Sequence, residues 1–355
     1  MITHMHKIAV CVFFMWCVVA TFAQEVTNVI AQQVGFKVEI LYVLDQEAAI
    51  SVWLSKDGGK TYTYQLKALS GDVGNKVSPG KNKIIWDLEC ESLLEDILEA
   101  RFRIDAQQAH HQFIVNDVSF TMISVTGGSF IMGATSEQGQ DAGEEEKPKH
   151  KVTLSDYYIG QTEVTQALWK AVMGTSVRQQ RNLENPSFLI CGEGNDFPMY
   201  YVSMYECQLF IEKLNKLLSK KLNGMHFALP TEAQWEYAAR GGIKTQNFKY
   251  SGSNSVDSVA WSNKNSNSST HRVGTKKPNE LGIYDMSGNV WEWCQDWYGA
   301  YKSFTQTNPT GPSSGSGYVY RGGCWYNGAQ SCRTTCRVQD PGRRYNRIGF
   351  RLVLE

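Results

Sequence analysis

The chain has no net charge, because lysine plus arginine and aspartate plus glutamate both number 35. That balance argues against a nucleic-acid binder driven by neutralising phosphates. Past its N-terminus it has no apolar run long enough to cross a bilayer. It also lacks the polar, low-aromatic composition of disordered or fibrous proteins, with 42% hydrophobic and 12% aromatic residues. Histidine is sparse, at seven in 355 residues.

What is present begins with an export signal. Residues 1–7 are short and mildly basic, residues 8–20 are apolar, and Thr21, Phe22 and Ala23 put small residues before a cut. This pattern predicts a signal peptide over 1–23 with cleavage after Ala23. Cys17 lacks the residues that usually precede a lipidated cysteine, so the expected product is a soluble exported protein, periplasmic or at the cell surface, and a lipoprotein is the lesser alternative. Of nine cysteines, losing Cys11 and Cys17 leaves seven: Cys90, Cys191, Cys207, Cys294, Cys324, Cys332 and Cys336. An oxidising compartment favours pairing among them, with an odd one left over.

The length allows two domains. Residues 24–106 read as about six short strands broken by turns, among them 37–43, 50–55, 83–88 and 100–104, with a hairpin turn at Asp57, Gly58 and Gly59. The pattern predicts a small immunoglobulin-like β-sandwich without catalytic residues, an attachment or spacer module. Residues 107–114, with His110 and His111, read as a polar linker.

The second domain, 115–355, opens with an expected hairpin at 120–133 centred on Gly127 and Gly128. An acidic loop follows at 137–149, where Glu144, Glu145 and Glu146 read as a solvated face. Residues 163–173 and 204–218 are helical in pattern, the latter with Phe210, Ile211, Leu214, Leu217 and Leu218 on one stripe. In LPTEAQWEYAARGG, Thr231 and Gln234 form a capping box and Gly241 ends the helix, so Glu232 and Glu236 belong to its structure. After Gly242 regular structure thins, and residues 279–297, NELGIYDMSGNVWEWCQDW, form the centre of the domain. Gly282, Ser287, Gly288 and Asn289 favour turns there, and Asp285, Glu292 and turn carbonyls are hard oxygen donors suited to calcium.

GGSFIMG, LPTEAQWEYAARGG, NELGIYDMSGNVWEW, RGGCW and IGFRL occur in this order, and together they make the chain resemble the formylglycine-generating enzyme, or sulfatase-modifying factor, domain family. The resemblance implies an α+β fold related to C-type lectins, poor in regular secondary structure, with bound calcium. One family calcium site falls on Ser287, Gly288 and Val290 through the main chain and on Glu292 through its carboxylate. Asp285 matches no family ligand. A second site needs an Asn-bearing loop and a downstream aspartate. Asn263 could match the first part, but residues 265–274 contain no aspartate.

Oxidases of the family convert a sulfatase cysteine or serine to formylglycine with two cysteines that hold copper. From Arg321 the alignment puts Asn327 at the first cysteine position and Cys332 at the second, so one thiolate of the pair that Cu(I) needs is missing. The catalytic candidates are therefore Cys324, Cys332 and Cys336, for which a disulfide, a reactive pair and buried free thiols all remain open. A Cys332–Cys336 pair would need a helical segment. The family's non-haem iron relatives need a histidine set, whereas His150, His226 and His271 are scattered. The expectation is an exported binding or scaffold protein of the cell envelope with a protein or glycan partner. The alternative is a formylglycine-generating oxidase, with copper.

Overall fold

The computed structural model describes residues 26–44, 48–55, 60–62, 64–90, 101–108, 110–222 and 224–355. The predicted signal peptide and the Asp57–Gly58–Gly59 turn lie outside these. Among the described residues no helix is long and apolar enough to cross a membrane. Two compact units are resolved, the first reaching His110 and the second spanning His111–Glu355.

The first unit contains β1 (Val26–Val34), β2 (Lys37–Leu44), β3 (Ala48–Ser55), β4 (Tyr64–Gln65), β5 (Leu69–Gly71), β6 (Gly74–Val77), β7 (Gly80–Asp87) and β8 (Arg101–Gln108). One sheet runs β1-β2-β7-β5; the other runs β4-β3-β6, with β8 also on β3. Alternation explains them. Val38, Ile40, Tyr42 and Leu44 of β2 point inward with Ile50, Val52 and Leu54 of β3, and Trp86 of β7 packs edge-on against Phe102 of β8 at 5.6 Å.

The second unit begins with β9 (His110–Val115), β10 (Val118–Val125), β11 (Gly128–Met132), β12 (His150–Leu154) and β13 (Tyr157–Gly160). The described residues of the polar linker expected at 107–114 are therefore strand. Phe113 and Val115 are buried, and an inward-facing alternation overrides the polarity of the neighbouring residues. The hairpin expected around Gly127 does not form either. β10 pairs with β13 and β11 with β12, so the Gly127 turn carries the chain between sheets. A Cβ on Gly127 would lie 2.4 Å from the Leu154 carbonyl, which is why the crossing needs glycine.

Helices α1 (Gln166–Met173), α2 (Val177–Glu184), α3 (Met204–Leu218) and α4 (Glu232–Ala239) follow, with β14 (Phe227–Ala228) between the last two. On α3, Phe210, Ile211, Leu214 and Leu218 are buried as the spacing predicts, while Leu217 is exposed. The Thr231 hydroxyl accepts from Gln234 N at 3.0 Å, and the Gln234 side chain accepts from Thr231 N at 2.8 Å. All eight residues of α4 are buried, so this short helix is a core element. Beyond it lie α5 (Val256–Val259), β15 (Trp291–Trp297), β16 (Gln306–Thr307), β17 (Tyr318–Arg321), β18 (Arg337–Asp340), β19 (Ile348–Gly349) and β20 (Val353–Leu354). The strand-rich α+β layout with short elements is as the motifs imply.

Candidate functional site

Three features converge on the turn that precedes β15. Gly288 has φ +85°, and a Cβ there would sit 2.4 Å from the Trp261 carbonyl, so the turn can close on residue 261 only as glycine. The Asn289 side chain clasps the His271 backbone, accepting from its N–H at 2.9 Å. Trp291, the first residue of β15, donates its indole N–H to Asn327 Oδ1 at 2.8 Å. The family-diagnostic turn and the position aligned with the first oxidase cysteine are thereby joined directly.

Asn327 is held as a structural residue. Its Oδ1 also accepts from Cys324 Sγ at 2.9 Å, and its N–H closes a turn onto the Cys324 carbonyl at 3.0 Å. Cys332 ends a 3-10 turn, Ala329–Cys332, and is fully buried, with Tyr250, Val259 and Ala260 in the same apolar cluster. The Ser287 hydroxyl donates to the Cys332 carbonyl at 2.7 Å and accepts from Ser251 N at 3.1 Å. Cys336 directly precedes β18, so Cys332 and Cys336 do not share a helix as one reading of their spacing required. The seven described cysteines are free thiols, and the expected pairing is absent among them. Cys207 and Cys294 are buried within α3 and β15.

Burial pushes the thiols of Cys324 and Cys336 up to about 11 and that of Cys332 higher still, the other two sulfurs adding to the rise. The thiolate is the form that binds copper or attacks, and this pocket opposes it.

Behind α4 lies a buried ionic lattice. Glu232 is gripped by Arg337 through two hydrogen bonds of 2.7 Å and touched by Arg321 at 3.1 Å. Arg321 also reaches Glu236, whose other oxygen takes Arg240 Nε at 2.9 Å. Burial alone would raise Glu232, but Arg337 and Arg321 outweigh it and hold the carboxyl below its usual range. The Arg337 guanidinium also lies 4.3 Å and 4.0 Å from the rings of Tyr298 and Tyr301. The acidic loop belongs to this lattice. Glu146, expected in solvent, is fully buried and bridged by Arg333 at 2.5 and 2.8 Å, and Glu137 pairs with Arg240 at 2.6 Å. Distant arginines neutralise Glu137 and Glu146, whereas Glu144 and Glu145 are exposed as a solvated run predicts.

The calcium residues expected at the turn, Ser287, Gly288, Val290 and Glu292, lie just before β15 and at its start. Glu292 is fully buried, and its carboxylate is already engaged: Arg351 donates to both oxygens at 2.6 Å and Trp235 Nε1 to Oε2 at 2.7 Å. Arg351 further donates to the carbonyls of Gly160 and Tyr284, tying β13 to the turn. Beside this pair lie Glu163 and Asp285, neither of them among the expected ligands. Both oxygens of Glu163 and Oδ1 of Asp285 are buried without a hydrogen-bond partner. Burial raises Glu163 well above the usual carboxylate range, Asp285 and Glu292 adding to the rise; burial also lifts Asp285, to about 6. Among the described residues no three His, Cys, Asp or Glu side chains form a metal cluster. The fold thus sets the buried carboxyls of Glu163 and Asp285 in electrostatic contact with each other and with the neutralised Glu292. The sequence signal for Glu163 is an acid set just before the inward-facing Val164 and the Thr165 cap of α1.

The surface next to Asn327 is open. Trp325 Nε1 donates to the Asn346 carbonyl at 3.2 Å, and Asn346 Nδ2 donates to Cys191 Sγ at 3.5 Å, which brings residues 191, 325 and 346 together. Tyr326 is 62% exposed and Leu189 75%, and Phe188 and Arg343 are exposed with them. The Arg347 guanidinium lies 5.3 Å from the Tyr345 ring.

Residues 112–355 match the family model described as a sulfatase-modifying factor enzyme 1-like domain. The chaperone protein LppX of Paenibacillus barcinonensis is 32% identical, over 64% of this chain and 84% of that protein. The formylglycine-generating enzyme of Streptomyces coelicolor is 26% identical, over 64% of this chain and 87% of its own length. A serine/threonine-protein kinase pkn1 of Chlamydia pneumoniae is 28% identical over 80% of this chain, which spans only 46% of that relative. Among solved structures, variable protein 1 of Treponema denticola is 33% identical with a TM-score of 0.59, covering 69% of this chain and 98% of its own.

Proposed function

The chain belongs to the sulfatase-modifying factor enzyme 1-like domain family, and on that footing we propose that it is a partner-binding member outside the oxidase class, exported to the cell envelope. The observation that carries this reading is Asn327. The position aligned with the first oxidase cysteine holds an amide locked to Cys324 and Trp291. The second position, Cys332, is a buried thiol held far from ionisation. Of the two aligned positions only Cys332 offers a soft ligand, and a buried neutral thiol gives copper(I) little to bind.

The exposed side chains of Phe188, Leu189, Tyr326 and Arg343, with the half-buried Tyr345 and Arg347, support a binding role. Aromatic and arginine side chains around a small apolar centre suit a protein or glycan partner in the envelope. The first unit, two sheets around one core, serves in this reading as an immunoglobulin-like spacer. Calcium enters as a structural ion held at the turn, where it would neutralise buried carboxylates and brace the loops beneath the binding face.

The deciding experiment incubates the purified mature protein with copper, a reductant and a Cys-x-Pro-x-Arg peptide, and seeks the aldehyde by mass spectrometry. The expected result is unmodified peptide. Turnover would establish the alternative, a formylglycine-generating oxidase working through displaced thiols.

A further inference from the structure

We propose that strand β1 is a self-association edge, along which two copies of the chain pair antiparallel over Ile30–Val34 with the two-fold axis at Gln32. Among the described residues β1 pairs only with β2, so it ends the sheet β1-β2-β7-β5. A strand in that position leaves a row of backbone N–H and C=O groups along its free side. Folded proteins normally protect such rows with charge, proline or short length. β1 has none of these: it runs nine residues, VTNVIAQQV, without a charged residue or a proline.

The other borders of the first unit are guarded. β5, at the far end of the same sheet, is three residues long and ends at Gly71, where φ is +91°. β4 and β6 run two and four residues, and β8 carries Arg101 and Arg103. Within the sheet of β1, the charges sit one strand in. Glu39 of β2 pairs with Lys83 of β7 at 2.6 Å, and Lys37 of β2 faces Asp87 of β7. At the border itself Ile30 and Leu41 stand opposite each other, each 44% exposed, and Val34 and Phe36 are 54% and 60% exposed. An apolar border with open backbone on one side is a surface for another strand.

The order of residues selects a second copy as that strand. The register with β2 shifts between Thr27 and Ile30, where Asn28 has φ +54°, and runs regularly from Ile30 to Val34. Antiparallel apposition of this regular segment with itself puts Ile30 against Val34 of the second copy, twice, and Gln32 against Gln32. Branched apolar residues facing each other stabilise paired strands, and two glutamine amides can each donate and accept. No like charges meet. A two-fold contact closes on itself, and the short β5 offers the sheet no second edge, so assembly stops at two chains. Five paired residues make a small interface, so the dimer is a weak one. Two chains per assembly would present two copies of the second unit to a partner and raise avidity.

Sedimentation equilibrium of the mature chain, from about 1 to about 200 µM, tests this. The weight-average mass is expected to climb from one chain towards two and no further. Gln32→Lys, which sets two like charges on the axis, and Ile30→Lys, which sets a charge against Val34, should each weaken association about tenfold or more. Both positions are exposed, so thermal melts of these variants should match wild type. The register has its own test. Ile30→Lys combined with Val34→Glu places opposite charges across the axis twice, and should restore the dimer relative to either single variant, more so at low salt. A wild type that stays monomeric over the whole range overturns the proposal. So does a dimer indifferent to Gln32→Lys, or a mass that keeps rising past two chains. A double variant no better than its single parents overturns the pairing about Gln32.

Discussion

Asp296 shows how a single buried acid sets a pH profile. Its carboxyl is pushed up to about 8, first by burial and then by Glu232, while the Glu232 N–H donates to it at 3.0 Å. A carboxyl whose native pKa lies above its unfolded value binds its proton more tightly when folded. Its contribution therefore stabilises at low pH and is lost as pH rises from the ordinary carboxylate range to about 8, at up to about 1.4 kcal/mol per pH unit. Denaturant melts of wild type and Asp296→Asn across pH 5 to 9 should converge at the acid end, with the variant the more stable above pH 8. Parallel curves would remove Asp296 from the account. Arg321 makes the opposite case. It is fully buried between Glu232 and Glu236, and Arg321→Met should cost about 3–5 kcal/mol by taking one of two arginine partners from each buried carboxylate, measured as a fall in denaturant midpoint.

At the scale of elements, what could be read in advance was what is local. The capping box of α4 needs only Thr231 and Gln234, three residues apart, and both hydrogen bonds form. Thr231→Ala should cost about 1 kcal/mol of stability in a denaturant melt. The stripe on α3 was equally legible, because 3.6-residue periodicity and burial agree. Elements set by distant partners were misread. In the acidic loop Glu144 and Glu145 are solvated as the charge run predicts, but Glu146 is buried against Arg333, 187 positions away. The Gly127 turn looked like a hairpin until the sheets claimed its two strands separately. At the site, the turn and the loss of a cysteine at Asn327 were visible in the motifs. The meeting of Glu163 with Asp285 was not, since 122 residues separate them and neither lies in a recognisable ligand pattern.

At the scale of the molecule, the two units each have their own core, and the second carries every candidate site residue. The buried lattice around α4 and the cluster at Arg351 replace long ladders as the means of holding short elements together. On the proposed reading, this second unit lacks the copper site of the family's oxidases. Titration of the reduced mature chain with copper(I) against a chromophoric chelator addresses that claim directly. The predicted result is no stoichiometric copper retained by the protein at neutral pH. Retention of one copper(I) per chain, abolished by Cys332→Ser, would contradict it.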